Sequence, residues 1–94
     1  MPIILVTTVL FPLGQVVITP NAKATLSSPT ILDALQRHAA GDWGSLTADD
    51  MELNDEALRD GDRIHSAYGE GPRRFWIITE SDRSATTILM PEDY

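Results

Sequence analysis

Between Ser28 and Gly61 the apolar residues return every three or four positions, and beyond Gly61 they alternate or run together. The first pattern predicts helix and the second predicts strand. Ser28 reads as an N-cap with Pro29 at the first helical position, where a missing N–H costs nothing. Ile31, Leu32, Leu35 and Ala39 then form one apolar stripe, and Gly41 supplies a C′ residue able to take positive φ. A second helix opens at Thr47, whose T-x-x-D spacing to Asp50 approximates a capping box, with Leu46 and Met51 as the hydrophobic staple. Asp49, Asp50 and Glu52 fall in its first turn, where the helix dipole favours anions, and Gly61 ends it.

After Gly61, Ile64, Ser66 and Tyr68 alternate with Arg63, His65 and Ala67, as in a strand with one more apolar face. Gly69-Glu70-Gly71-Pro72 marks a turn. Phe75 to Ile78 is β-prone and apolar on both faces, which suits a central strand or one at a partner interface. Ser81-Asp82-Arg83 turns the chain into a last strand from Ala85 to Met90. Towards the N-terminus, Val16 to Ile18 and Ala24 to Leu26 read as short strands, and residues 1–10 as part of an edge strand or arm. These elements predict an α+β fold in which a two-helix hairpin packs on a small antiparallel sheet of three to five strands. At 94 residues the chain has room for one domain, 1–94.

Charge sharpens this picture. The chain carries −7 overall, and residues 29–62 alone hold nine acids against Arg37 and Arg59. A protein so acidic lacks the basic face that phosphate-tracking nucleic-acid binders use, so direct nucleic-acid binding is not expected. The absence of cysteine excludes disulfides, thiolate metal sites and cysteine nucleophiles. The apolar start has no basic flank beyond its terminus, and Pro12 and Gly14 interrupt it, so neither an export signal nor a membrane span is expected. A cytoplasmic location follows as the expectation.

Two groups of residues carry candidate chemistry. Gly41-Asp42-Trp43-Gly44 is a tight interhelical turn; Asp42 suits bonding to nearby backbone N–H groups, and the indole either plugs a helix–sheet seam or faces a ligand. With Asp49, Asp50, Glu52, Asp55 and Trp76, Asp42 and Trp43 make a candidate protein-binding set. The other group comprises His65, Arg73, Arg74 and Arg83 on and between the strands, a combination suited to general acid–base cleavage of RNA if gathered on one face. His38, near the end of the first helix, would complement its dipole as an imidazolium. His38 and His65 lack metal-ligand spacing, and the acids lack the alternating pattern of a calcium loop, so no metal and no cofactor are expected. Nucleophile-elbow, phosphate-loop and dinucleotide glycine motifs are absent.

Several stretches, in order, resemble a known family. Arg37-His38, Gly41-Asp42-Trp43-Gly44, Asn54-Asp55-Glu56-Ala57-Leu58, Ser66-Ala67-Tyr68, Trp76-Ile77-Ile78-Thr79-Glu80, Asp82-Arg83-Ser84 and Leu89-Met90-Pro91-Glu92-Asp93-Tyr94 look like small, uncharacterised "plasmid-related" proteins of bacterial mobile elements. The likeness covers residues 11–94. Members of that family often bear the label of a type I restriction enzyme M subunit. A methyltransferase needs a nucleotide-binding domain far larger than this chain, so the label implies no activity here. What the resemblance implies is a mobile-element context, with no catalytic residues to carry over. The element order is also similar to that of RelE/ParE-type toxins, which are typically basic.

The sequence therefore points to a non-enzymatic, acidic protein-binding module of a mobile element, an accessory or anti-defence factor. Its partner would be a host or element-encoded protein with a basic surface. The alternatives are a RelE-like RNA-cleaving toxin built on His65, Arg73, Arg74 and Arg83, and a homodimerising module pairing edge to edge through Phe75 to Ile78.

Overall fold

A computed structural model describes residues 9–94. The chain runs β1 (Gln15–Ile18), α1 (Pro20–Thr25), α2 (Ser28–Ala39), α3 (Ala48–Asp60), β2 (Ile64–Tyr68), β3 (Phe75–Thr79) and β4 (Ala85–Leu89), with short 3₁₀ turns at Gly71–Arg73 and Pro91–Asp93. The strands form one sheet in the order β1-β4-β3-β2. This is the expected α+β architecture of helices on a small sheet. The antiparallel meander of β2, β3 and β4 is as the alternation predicts, but β1 runs parallel to β4, which makes the sheet mixed. A parallel neighbour is possible because α1, α2, α3 and two further strands separate β1 from β4 in the chain, leaving ample length for the crossover.

Two expectations about the N-terminal half need correction, and a third falls largely outside the described residues. Ala24 to Leu26 is not a strand: Thr19 caps Ala22 N and Pro20 opens the short helix α1, by the same hydroxyl-then-proline device that starts α2. The cap of α2 is Ser27 rather than Ser28, accepting from Thr30 N at 3.3 Å. The arm or edge strand over residues 1–10 falls largely outside the described residues; of its last two, Leu10 donates from its backbone to Ala39 O at 2.8 Å. Thr47 and Gly61 bound α3 as the sequence indicates, with Gly61 left-handed at φ 74°.

Strand register sorts the side chains into two faces. Tyr68 lies opposite Phe75, Ser66 opposite Ile77, Ile64 opposite Thr79, and Ile77 and Thr79 opposite Ile88 and Thr86. This face meets α1 and α2, where Tyr68, Phe75, Ile77 and Ile88 pack with Ala22, Leu26, Ala34 and Met90. A second cluster of Phe11, Trp43, Ala57 and Ile64, joined by Leu46 and Met51 of the staple, seats α3 beside β2.

Polar groups cross the middle of this apolar layer. His38, wholly buried, meets Ser66 Oγ through Nδ1 and Thr79 Oγ1 through Nε2 at 2.9 Å. Thr79 Oγ1 lies 2.7 Å from Thr86 Oγ1, which donates to Leu13 O at 2.7 Å. A carbonyl only accepts, so the direction of the chain is fixed from that end. Thr86 gives its proton to Leu13 and takes one from Thr79, and Thr79 takes one from Nε2–H. Burial pushes the imidazole pKa down to about 3, so the ring is neutral. With the proton on Nε2, the bare Nδ1 accepts from Ser66, whose hydroxyl also lies 3.4 Å from Ile77 O. The imidazolium expected at the end of α2 is not formed, because the ring points into the sheet rather than toward the helix terminus and water.

Acid should therefore unfold the protein early. The unfolded chain takes up this proton near pH 6.5 and the folded chain only near 3. The contribution is complete above about 6.5 and is lost as pH falls through that window, by at most about 1.4 kcal/mol per pH unit. Urea unfolding at a series of pH values checks this: His38→Gln is expected to be less stable at pH 7 and to lose less than the native chain between pH 7 and 4.

Candidate functional site

The free edge of β2 is covered by devices other than a strand. Trp43 O accepts from Ala67 N at 3.2 Å, and Ser45 N donates to Ala67 O at 2.8 Å, so the loop between α2 and α3 pairs with the strand for one residue. Gly44 makes this approach possible: at φ 75°, a Cβ there would sit 1.9 Å from Ala67 O. Two residues along, the Asn54 amide imitates a backbone. Its Nδ2 donates to His65 O at 2.7 Å and its Oδ1 accepts from His65 N at 3.1 Å. Edge strands left bare invite pairing with other chains, and this one is closed by the turn and by α3.

Anchoring α3 through Asn54 sets what lies beside it. Asp50, one turn earlier on the helix, and Leu53, immediately before Asn54, face residues of the sheet surface turned away from α1 and α2. Ala67 is directly opposite Trp76, so His65 and Trp76 share that surface as diagonal neighbours. Their rings meet edge to face with centroids 4.6 Å apart. Between helix and sheet opens a cleft of about 420 Å³ lined by Leu46, Asp50, Leu53, Asn54, Arg63, His65, Arg74 and Trp76. Arg63 is held there by Glu80, at 3.5 Å, and by Tyr94, whose hydroxyl accepts from Nη1 at 2.7 Å. Arg74 donates once, to Ser45 O at 3.1 Å, and has no carboxylate partner among the described residues. The His65 imidazole is held below the usual histidine range, first by burial and then by the neighbouring Arg63 charge.

The candidate RNA-cleaving residues do not converge. His65 and Arg74 line the cleft, but Arg73 is outside its lining, and Arg83 is engaged elsewhere. From a left-handed backbone at φ 61°, Arg83 donates to Ala57 O at 3.1 Å, Asp62 O at 2.6 Å and Glu80 O at 3.2 Å, and lies over the Phe11 ring. It closes the carbonyl end of α3.

The candidate binding set also divides. Trp43 is 4% exposed and donates from Nε1 to Asp55 at 2.9 Å, so it plugs the seam and does not present a binding surface. Asp55 is correspondingly a partner of the core. Asp42 holds its own turn, accepting from Gly44 N at 3.1 Å and pairing with Arg37 at 2.8 Å, and the Arg37 hydrogen bond lowers its pKa. Asp50 and Trp76 line the cleft, whereas Asp49 and Glu52 are exposed on α3. Edge-to-edge dimerisation through Phe75 to Ile78 is excluded for this fold, because β3 has β2 on one side and β4 on the other.

No family model, curated protein or solved structure matches the chain. Among the described residues, no helix is long and apolar enough to cross a membrane.

Truncating Asn54 tests the edge closure. Asn54→Ala leaves His65 N–H and C=O unpaired and is expected to lower stability by roughly 2 kcal/mol, whereas Glu52→Ala, on the solvent side of the same helix, should stay within about 0.5 kcal/mol of the native value. Chemical denaturation of the three proteins decides it.

Proposed function

We propose that this protein is a non-enzymatic binding module of a bacterial mobile element, an accessory or anti-defence factor acting in the cytoplasm. Its contact surface would be α3, and its partner a host or element-encoded protein with a basic face. One observation carries the reading: α3 holds Asp49, Asp50, Glu52, Asp55, Glu56 and Asp60 against Arg59, yet both ion pairs among the described residues lie elsewhere. Asp49 and Asp50 gain from the helix N-terminus, while Glu52, Asp55, Glu56 and Asp60 form no ion pair with the single Arg59. Leu53, 60% exposed, adds an apolar anchor amid Asp49 and Glu52. Acidic side chains around an apolar contact are suited to steering toward, and seating on, a positively charged surface. A protein that handles nucleic acid presents such a surface, and the α3 carboxylates would then occupy the place of phosphates.

The test separates charge recognition from mere solubility. Tagged protein and the Asp49→Lys/Glu52→Lys variant are used to capture partners from the native host at low and high salt. The reading expects a partner with a basic face, released at high salt and bound roughly 10- to 100-fold more weakly by the variant. Equal capture by both proteins, or none at either salt, would contradict it.

A further inference from the structure

The cleft between α3 and the sheet is chemically unlike the protein around it. In a chain of net charge −7, its lining carries two arginines against the single carboxylate of Asp50. Arg63 is matched by Glu80, but the Arg74 guanidinium has only the bond to Ser45 O and keeps its other N–H donors open. The Trp76 indole N–H and both ring nitrogens of His65 also have no hydrogen-bond partner among the described residues, although each residue is half-buried at the cleft. In contrast, the indole N–H of Trp43 is paired with Asp55 and buried. Leu46 and Leu53 supply apolar wall, and the His65 and Trp76 rings supply a flat one. A volume of about 420 Å³ is that of a small-ligand site.

Each unused group asks for a complement. A guanidinium with open N–H groups suits a carboxylate. An indole N–H asks for a carbonyl, and the Asp50 carboxylate asks for an N–H. The aromatic and leucine walls ask for an apolar side chain. From this we propose that the cleft is a binding site for an N-acylated apolar α-amino acid carboxylate, either as a free small molecule or as the last residue of a peptide chain. The carboxylate would lie on Arg74, the acyl carbonyl on Trp76 Nε1–H and the amide N–H on Asp50, with the side chain between the leucines and the rings. Asp50 and Leu53 also belong to the α3 surface, but Asp49 and Glu52 are outside the cleft lining, so the Asp49→Lys/Glu52→Lys variant that tests that surface leaves every lining residue in place.

NMR titration with four probes tests the assignment: N-acetylphenylalanine, its C-terminal amide, acetyl-Gly-Gly-Phe and the amide of that peptide. The Trp76 indole N–H signal reports the cleft, and the Trp43 indole N–H is an internal control. Saturable movement of the Trp76 signal with at least one free acid is expected, with the Trp43 signal still and the matching amide weaker by at least about tenfold. Arg74→Gln should remove that preference for the acid, and Trp76→Phe, which keeps a ring but loses the donor and is followed through the His65 backbone amide signal, should weaken both forms. Binding of the small acid alone assigns a free metabolite, and tighter binding of the peptide acid assigns a chain terminus. No saturable shift with either acid at millimolar concentration would overturn the proposal. So would acid and amide binding equally, with Arg74→Gln leaving both unchanged.

Discussion

His38 reaches from the last turn of α2 into the sheet, and the hydrogen bonds it makes there constrain nearly every element of the fold. Through Ser66, Thr79 and Thr86 it touches β2, β3 and β4 in turn, and through Leu13 O it fixes the segment leading into β1. Such a chain tolerates no partial version. An unmade bond in this dry layer leaves a polar group without water, whereas the completed chain satisfies every member. Among the described residues no buried side-chain nitrogen or oxygen lacks a partner. A shift of one strand by a single residue would turn Ser66, Thr79 or Thr86 to the opposite face and break the chain, so the same bonds that tie α2 to the sheet also specify strand register.

With α1 and α2 committed to one face, α3 is left to the sheet edge. There it serves as a second edge pairing, through Asn54, and as a wall over His65 and Trp76. This placement gives the protein two chemically distinct surfaces on one helix. The solvent side is acidic and has no ion pair, which suits a basic protein surface. The sheet side closes a cleft whose unpaired donors and one unmatched guanidinium suit a small organic acid. Arg83, capping the end of α3, and the Trp43–Asp55 bond near its middle keep the helix in the position that both surfaces need.

Much of the scaffold is legible in the sequence because it rests on local chemistry. Thr47 with Asp50, Leu46 with Met51, and Gly61 mark α3 through caps and staples, and the dense run from Phe75 to Ile78 marks the central strand. Thr19-Pro20 carries the same local signal for α1, although Ala24 to Leu26 by itself has the composition of a short strand. The site is less legible because its groups meet across the chain. Nothing near Asn54 indicates that its amide will pair with His65 backbone, and nothing near Arg83 indicates that it will close α3 from 26 residues away. Trp43 and Trp76 look alike in sequence, yet one is sealed beside Asp55 and the other borders a cleft. Their difference is set by β2 register and by the bridge at Gly44, both of which are long-range.

The dependence of the fold on a neutral His38 is open to direct observation through the ring nitrogens of the isotopically labelled protein. At pH 5, below the ordinary range for histidine, the two His38 nitrogen signals are expected to be those of an uncharged ring with its proton on Nε2 and a bare Nδ1. A His38 ring that takes a second proton near pH 6.5 while the sheet remains folded, or that carries its single proton on Nδ1, would contradict the account.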